Sequence, residues 1–337
     1  MSTRGDTIAQ KHGAGGPAMR ALIEKVFVAG LGAAGAGLAA MDDGAVIPVG
    51  NRFLVLTTDS YVIKPPFFPG GDIGRLAICG TVNDLAMMGA TEPLGLTCGV
   101  VLEAGFALAD LERIRDSMRV ACAEAGATIV TGDTKVMGQG ELDGIVINTA
   151  GVGFAERAVP DSGLRLGDRI IVTGSIGDHG FAVMAARHRL QLEGGLLSDV
   201  APLNGLVRAA LAAGAVHAMK DPTRGGLASA LHEMAGKSRV GVVLDEAALP
   251  VRPEVRAASE LLGIDPLHVA NEGKAVLGVA AEAAEPVVQA LRGHPLGRQA
   301  AIIGTCVAER PGSVILETGF GRRLLAEPEG ELLPRIC

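Results

Sequence analysis

Four aspartates stand at positions from which their carboxylates could converge. Asp59 and Asp133 each follow an apolar run that predicts a buried strand, and Asp84 lies in a predicted helix. Asp221 begins a glycine-containing turn that opens into a further helical pattern. Ligands of α/β proteins bind beyond the carboxyl ends of strands, and Mg²⁺ takes oxygen ligands together with nucleotide phosphates. We therefore expect a magnesium-dependent phosphate site, with a simple cap of a helix or turn as the alternative for each aspartate.

Two further charged residues could move protons or orient a phosphate. Lys135 follows Asp133 by two positions, and Glu272 lies in the segment Asn271-Glu272-Gly273-Lys274. General acid–base groups act when they are held close to the reacting atoms. From spacing alone a surface ion pair is the alternative for each, because charged side chains are mostly exposed.

The last residue of the sequence, Cys337, is a candidate of a different kind. It is one of five cysteines in 337 residues, and none of them forms a CxxC pair. A cysteine at the end of a proline-containing arm can enter a narrow pocket that a thiol within the chain cannot reach. Its sulfur could therefore carry a group, with an inert terminal residue as the alternative. Cys122, on the apolar side of a predicted helix, is interpreted as a core residue.

Several functional classes are disfavoured by the sequence. The glycine-rich segment His12–Gly16 has no following Gly-Lys-Ser/Thr and no preceding strand, so it is neither a P-loop nor a dinucleotide fingerprint. It is either a loop that closes over a ligand or a linker. The histidines form no HExxH pattern, and the sequence assigns no role to His179. A net charge of −7 with 3% aromatic residues argues against a nucleic-acid partner.

Length and composition describe a globular chain with two domains. The 337 residues are 48% hydrophobic, which is enough for a sizeable core. The N-terminus lacks a secretory pattern, and the longest uncharged run, 26–41, has only 16 residues. About 20 apolar residues are needed to span a bilayer. An odd number of separated cysteines predicts neither a disulfide framework nor a zinc site, so we expect a cytoplasmic protein without a membrane partner.

The candidate residues need a framework that brings them together. Apolar runs ending at Leu56, Val130 and Val172 predict strands, and apolar residues at helical spacing over 111–125 predict a helix that a glycine ends. This alternation predicts an α/β fold. Proline, glycine and charges interrupt the pattern over 157–167, which predicts a seam between two domains of similar size.

Taken together, these motifs resemble the hydrogenase expression/formation family HypE, within the aminoimidazole-ribonucleotide synthetase-like superfamily of ATP-dependent enzymes. The resemblance covers nearly the whole chain, with the Gly/Ala-rich run 26–41 as its main departure. The segments that carry it are His12–Gly16, Ser60–Ile63, Phe67–Gly71, Asn83–Ala86, Thr131–Lys135, Gly177–Gly180, Asp221–Gly226, Ala270–Lys274 and Pro334–Cys337. The last segment distinguishes this family from its superfamily relatives.

The resemblance implies a fold and a division of the chain. The expected fold is a two-domain α/β (α+β) fold of the aminoimidazole-ribonucleotide synthetase type, with the N-terminal domains forming a barrel across a homodimer. The expected parts are an N-terminal segment with the glycine-rich loop (1–44), an ATP-binding and dimerisation domain (45–160), a second α/β domain (161–310) and a C-terminal region with a mobile tail (311–337).

The resemblance also implies an activity with ATP and Mg²⁺. A carbamoyltransferase partner, HypF, is expected to load a carbamoyl group onto Cys337, which this protein dehydrates to a thiocyanate. The cyanide is expected to pass to the iron of a nickel–iron hydrogenase, held on a HypC–HypD scaffold complex. The catalytic residues implied are Cys337, Glu272 and Lys135. The ATP-binding residues implied are Asp59, Asp84, Asp133, Thr134, Gly70, Gly71 and Asp221, of which Asp59, Asp84 and Asp221 also hold the metal.

Two other functions stay open on the sequence. Selenophosphate synthetase belongs to the same superfamily, but the terminal Cys337 and the lack of a reactive cysteine in the N-terminal glycine-rich loop argue against it. A non-enzymatic carrier would hold metal or sulfur on Cys337 and only dock to partners. ATP turnover separates these alternatives.

Overall fold

The structure is a computed structural model that describes residues 7–13, 15–31, 38, 40–190, 195–328 and 336. These residues form two α/β units, each built on one mixed sheet. The predicted two-domain α/β class is confirmed. Within the described ranges no helix is both long enough and apolar enough to cross a membrane.

The first unit is a five-stranded sheet with one helix that packs against it and a second helix that packs against the first. The strand order is β1-β2-β7-β5-β6. Before the sheet lie a 3₁₀ turn (Gln10–Gly13), α1 (Gly16–Leu22), a π-helix (Ile23–Val28) and α2 (Ala29–Leu31). The unit itself contains β1 (Ala45–Val49), β2 (Arg52–Tyr61), β3 (Phe67–Phe68), β4 (Gly71–Asp72), α3 (Ile73–Met87), β5 (Pro93–Glu103), α4 (Leu108–Ala125), β6 (Ile129–Met137) and β7 (Ile145–Ala155).

The second unit is a seven-stranded sheet in the order β14-β13-β10-β12-β8-β11-β9. Its strands are β8 (Arg169–Val172), β9 (Val216–Lys220), β10 (Gly241–Asp245), β11 (Val276–Val279), β12 (Ala301–Val307), β13 (Val314–Thr318) and β14 (Gly321–Leu324). Its helices are α5 (Asp178–His188), α6 (Asn204–Ala213), α7 (Gly226–Ser238), α8 (Pro253–Leu262) and α9 (Ala284–Arg292). The last two strands, β13 and β14, lie in the region 311–337 that the resemblance sets apart as C-terminal. The predicted seam at 157–167 lies between β7 and β8.

Helix α3 lies at the centre of the molecule. The Asp72 carboxylate caps it by accepting from the backbone N–H groups of Gly74 and Arg75, at 2.8 and 3.0 Å. Nearly all of its residues are buried, because β2, β7 and α4 cover part of it and α6 of the second unit covers another part. The tyrosine ring of Tyr61 lies so close to Gly80 that no side chain fits there. The glycine at this position therefore allows the Tyr61 ring to pack directly against the helix backbone.

Strand β6 is an edge strand of the first sheet, and its side chains are exposed. All nine of its residues are exposed, including Val130 at 63% and Val136 at 68%. It pairs with β5 in parallel, and its other edge has no strand partner within the described residues. Apolar edge strands are templates for association with another chain.

The structure corrects one expectation about the strands. Asp59 lies inside β2 and Asp133 inside β6, rather than beyond the strand ends. The apolar runs end earlier than the strands do, because threonine-rich continuations also suit a pleated sheet and the neighbouring strands supply their backbone hydrogen bonds. β2 and β6 are separated by β7 and β5, so their aspartates lie three strand spacings apart, about 14 Å.

Candidate active site

A cavity of about 810 Å³ brings together three of the four predicted aspartates. Asp59 reaches it from β2, Asp84 from the last turn of α3, and Asp221 from the loop between β9 and α7. The lining therefore comes from both units. Arg224 and Gly15 also line the cavity. Its volume is in the range of small-molecule sites.

Asp84 is buried among several other carboxyls. Burial, followed by the charges of Asp221, Asp43 and Asp59, raises the pKa of Asp84 well above its usual value. The Thr57 hydroxyl lies 2.8 Å from Asp84 Oδ2 and 2.9 Å from the Asp43 carbonyl oxygen. A hydroxyl has one hydrogen to donate, so both contacts are satisfied together when Asp84 is protonated and donates to Thr57.

The other two carboxyls in the cavity also have raised pKa values. Burial raises the pKa of Asp221 to about 8, an effect that Asp43 increases and Lys220 opposes. Burial also raises the pKa of Asp59, against the opposing charge of Arg224. A bound cation would offset the mutual repulsion of these carboxylates and so favour their ionised forms. The cavity is therefore electrostatically prepared for positive charge.

Sequence analysis missed Asp43 and Lys220. Lys220 Nζ lies 2.5 Å from Asp43 Oδ1, 3.4 Å from Glu233 Oε2 and 3.6 Å from Asp161 Oδ2. Burial alone would lower the pKa of Lys220, but these carboxylates outweigh it and raise that pKa well above the usual value. The available signal was the pair Asp42-Asp43 immediately before an apolar strand, where two adjacent carboxylates are unusual in a half-buried position.

A second lysine, Lys237, joins the segment before β1 to the loop between the two units. Lys237 Nζ donates to Asp161 Oδ2 at 2.6 Å and to the Met41 carbonyl oxygen at 2.7 Å. Burial, with a contribution from Asp42, raises the pKa of Asp161 to about 7. Two lysines of the second unit thus hold the acidic segment that leads into β1.

The donors of the cavity suit magnesium. Asp43 Oδ2 is buried and has no hydrogen-bond partner among the described residues. Within those residues no three His, Cys, Asp or Glu side chains form a ready-made metal cluster. Mg²⁺ commonly keeps several waters and uses one or two carboxylates together with substrate phosphates, so a complete protein cage is not required. Hard carboxylate oxygens on the cavity wall therefore fit this ion.

Glu272 is buried near the same cavity. Only 3% of it is exposed, and its Oε1 atom has no hydrogen-bond partner among the described residues. Burial, then the charges of Asp221, Asp199 and Asp59, raises the pKa of Glu272 well above its usual value. Its backbone is held firmly: the N–H donates to Asp199 Oδ1 at 3.0 Å, and the carbonyl oxygen accepts from Asn83 Nδ2 at 3.2 Å. The surface ion pair considered for Glu272 is wrong.

The three candidate residues of β6 lie elsewhere in this chain. Asp133, Thr134 and Lys135 are exposed, and they do not line the cavity. Lys135 Nζ contacts Asp133 Oδ2 at 2.8 Å, and this hydrogen bond, with that from the Thr134 N–H, lowers the pKa of Asp133. The ion pair considered for Lys135 is present. Their assignment to catalysis and ATP binding stays a prediction.

Gly70 and Gly71 also lie outside the cavity lining. Gly70 has a φ of +91° and approaches the Ser198 backbone, where a Cβ atom would come within 2.7 Å of the Ser198 nitrogen. A Cβ atom on Gly71 would meet Val200 and Phe68. Both glycines thus seat a segment of the first unit against residues 198–200 of the second, and their ATP-binding role stays a prediction.

Cys337 lies outside the described residues, but its predecessor Ile336 is described. Ile336 is buried, and its carbonyl oxygen lies 2.8 Å from His179 Nε2. Sequence analysis gave His179 no role, although it belongs to the Gly177–Gly180 motif. A histidine contact to a residue 157 positions away has no local sequence signal.

Comparison with known proteins identifies the family. Residues 41–155 match the profile of the AIR synthase related protein, N-terminal domain, and residues 165–317 match its C-terminal domain. The chain is 50% identical to the carbamoyl dehydratase HypE of Rhizobium leguminosarum bv. viciae, over 97% of this chain and 94% of that protein. The chain belongs to the HypE family. Its resemblance to this family, predicted from the motifs, is confirmed, and the selenophosphate synthetase alternative is not supported.

Two solved HypE structures have the same fold. The HypE–HypF complex matches with a TM-score of 0.86 and 42% identity, covering 93% of this chain and all of that one. HypE in complex with ATP matches with a TM-score of 0.82 and 42% identity, covering 98% of this chain and all of that one. As a member of the HypE family, this chain is an enzyme of the carbamoyl dehydratase class.

Proposed function

We propose that this HypE uses ATP and Mg²⁺ to dehydrate an S-carbamoyl group on Cys337 to a thiocyanate, the cyanide donor for nickel–iron hydrogenase. The observation that carries the proposal is the cavity where Asp59, Asp84 and Asp221 meet from both units. It combines a volume suited to a nucleotide with carboxylates suited to a magnesium-bound phosphate.

The reaction needs ATP because of its leaving group. The thiocarbamate S–C(=O)NH₂ loses its carbonyl oxygen and both amide hydrogens to become S–C≡N. Oxide and hydroxide leave poorly, whereas an oxygen that has first received the γ-phosphoryl group of ATP leaves as phosphate. The balance is thiocarbamate plus ATP giving thiocyanate, ADP and phosphate, with the amide protons passed to bases.

Glu272 is our candidate for proton removal. It is buried, its Oε1 atom has no hydrogen-bond partner among the residues that the structure describes, and its raised pKa makes it a strong base once it is ionised. Asp59, Asp84 and Asp221 would hold a magnesium ion, whose positive charge would bind phosphate oxygens and favour ionised carboxyls around it. Lys135 is the candidate for stabilising negative charge.

A second copy of the chain gives Lys135 a route to an active site. β6 carries Lys135 with Asp133 and Thr134, and the whole strand is exposed in one chain. We propose that β6 forms part of a barrel shared by two copies, which would cover Val130 and Val136 and carry the polar residues to the partner. The homodimer, its barrel and the ATP-binding roles of these residues form one proposal.

Other proteins complete the proposed pathway. HypF is the proposed carbamoyl donor, in keeping with a solved HypE–HypF complex. A HypC–HypD complex that carries iron is the proposed acceptor of cyanide, and the cytoplasm is the proposed location.

Mass spectrometry of the intact chain tests the function. The chain is carbamoylated with HypF and then incubated with ATP and Mg²⁺, with ATP alone, or with a non-hydrolysable ATP analogue. Only the first mixture should lose one water from the carbamoylated chain, with one ADP formed per chain. Persistence of the carbamoyl group while ATP is hydrolysed would contradict the proposal, and absence of any ATP turnover would favour the carrier alternative.

A further inference from the structure

Ile336 occupies a cleft formed by both units. It is 4% exposed and belongs to the hydrophobic cluster that contains Phe68 of β3 and Phe181 of α5. Its carbonyl oxygen lies 2.8 Å from Nε2 of His179, the second residue of α5. The peptide group immediately before Cys337 is therefore held by a side chain of the second unit.

The hydrogen bond from His179 to Ile336 shows which ring nitrogen carries a hydrogen. A carbonyl oxygen only accepts, so Nε2 carries the hydrogen that is donated to Ile336. Nδ1 lies 2.8 Å from Ser198 Oγ, which itself accepts from the Val200 N–H at 3.1 Å. The Ser198 hydroxyl still has one hydrogen, which it can donate to Nδ1 of the neutral imidazole. Burial lowers the pKa of His179, in keeping with this neutral form.

The first unit supports this arrangement. The Ser198 N–H donates to the Pro69 carbonyl oxygen at 2.8 Å, and Gly70 lies against the Ser198 backbone. The Phe68 ring meets the His179 ring edge to face, with centroids 5.4 Å apart and planes at 87°. Contacts with the motif Phe67–Gly71 therefore restrain the His179 ring and the Ser198 backbone.

The cleft is connected to the candidate base. Asp199, the residue after Ser198, accepts from the Glu272 N–H through Oδ1 and from Lys274 Nζ through Oδ2, both at 3.0 Å. The Gly180 N–H donates to the Ala270 carbonyl oxygen at 3.0 Å, so α5 also holds the loop that contains Glu272. The group that binds Ile336 and the loop of Glu272 are parts of one rigid arrangement.

We propose that His179, oriented by Ser198, is a positioning residue that docks the chain end through the Ile336 carbonyl for the dehydration of Cys337. This role deepens the proposed function and rests on it. The hydrogen bond acts on the backbone, so it works for the free thiol and for the carbamoylated thiol alike. Loading by HypF needs the undocked chain end, and dehydration needs the docked one.

Two substitutions of His179 separate a positioning role from a structural one. Gln places its amide nitrogen near the position of Nε2 and keeps the donor for Ile336, whereas Asn places it near Nδ1 and cannot reach. His232→Asn is the matched control, because His232 Nε2 also contacts a backbone carbonyl oxygen, that of Leu325, at 2.9 Å. Leu325 is held independently by its own N–H, which donates to Val314.

Carboxypeptidase Y digestion measures docking without any activity of the protein. The enzyme trims a chain end only while it is undocked, so the rate follows the undocked population. Loss of one buried hydrogen bond should speed the release of Cys337 about tenfold in His179→Asn. His179→Gln and His232→Asn should be trimmed at the wild-type rate. Equal rates for the wild type and the Asn variant, or for the Gln and Asn variants, would overturn docking by His179.

Single-turnover dehydration of the carbamoylated chain measures the consequence. With ATP and Mg²⁺, water loss should slow about tenfold in His179→Asn, because a chain end that docks without this hydrogen bond holds the thiocarbamate in a less productive geometry. It should recover in His179→Gln, with ATP affinity unchanged. If the wild type loses no water, the proposed function fails while the digestion result still decides docking. If the Asn variant is trimmed quickly but dehydrated at the wild-type rate, docking through His179 does not serve the reaction and the positioning role is wrong.

Discussion

Replacing Asp221 by asparagine should stabilise the nucleotide-free protein and weaken its binding of Mg²⁺–ATP. Asn keeps the size of the side chain and removes a carboxyl that burial and Asp43 make difficult to ionise. The unfolded chain releases the Asp221 proton near its usual pKa of 3.8, and the folded chain releases it at about 8. Between these values the folded state binds more protons, so the free energy of unfolding falls as pH rises.

The size of the effect follows from the interval between the two values. Each pH unit above 3.8 costs about 1.4 kcal/mol until the folded carboxyl ionises, which amounts to about 4 kcal/mol at pH 7. The stability is fully present below pH 3.8 and is lost progressively up to pH 8. Asp221→Asn removes this pH dependence, so the free energy of unfolding of the variant should exceed that of the wild type by the most near pH 8.

Urea unfolding at several pH values between 4.5 and 8 is the assay. The difference in free energy of unfolding between Asp221→Asn and the wild type should be about 1 kcal/mol at pH 4.5, about 4 kcal/mol at pH 7 and about 5 kcal/mol near pH 8. Asp116→Asn, an exposed change on α4, should stay within about 0.5 kcal/mol at every pH. A constant difference across this range would refute the reasoning, because it would mean that Asp221 ionises at the same pH in both states.

Three further predictions concern the reaction and the assembly. Asp84→Asn should weaken Mg²⁺-dependent ATP binding by about 2 kcal/mol while the fold persists, and unchanged affinity in titration calorimetry would remove Asp84 from the site. Cys337→Ala should bind ATP normally and give no dehydrated adduct in intact-chain mass spectrometry, and an adduct on this variant would point to another nucleophile. A few residues added after Cys337 should also block dehydration, although the thiol remains. Light scattering of the wild type should give about twice the chain mass of 34.3 kDa. Val136→Asp, which puts a charge into β6, should give the mass of a single chain, and a dimer mass for that variant would place the interface elsewhere.

Local signals predicted much of the framework. The helix over 111–125 was expected from its apolar spacing, and α4 ends as predicted with Gly126 in the left-handed conformation at a φ of 64°. Asp84 and Asp221 were expected to converge on one site, and both line the cavity. These successes depend on patterns within a few turns of chain or on motifs characteristic of the family.

The remaining features depend on contacts that no local pattern encodes. Asp133 shares a motif with Lys135 on β6, yet the strand order places both away from the cavity of their own chain. The resemblance implies an ATP-binding role for Gly70, and no local pattern shows that its positive φ also allows the close approach of Ser198. His179 acquires its partners from Ser198 and Ile336, which are 19 and 157 positions away. Sequence separation of this size leaves no periodicity to read.

The burial of α3 bears on how this protein can evolve. Asn83, in its last turn, donates to the carbonyl oxygens of Ala201 and Glu272 at 3.2 Å and accepts from the Leu203 N–H at 2.7 Å. The helix is thus a core element for the second unit as well as for the first. A first unit grafted onto a different second unit would leave these polar groups unpaired and expose an apolar face. The two units must therefore be inherited together, and a change on either side of α3 is constrained by the sequence on the other.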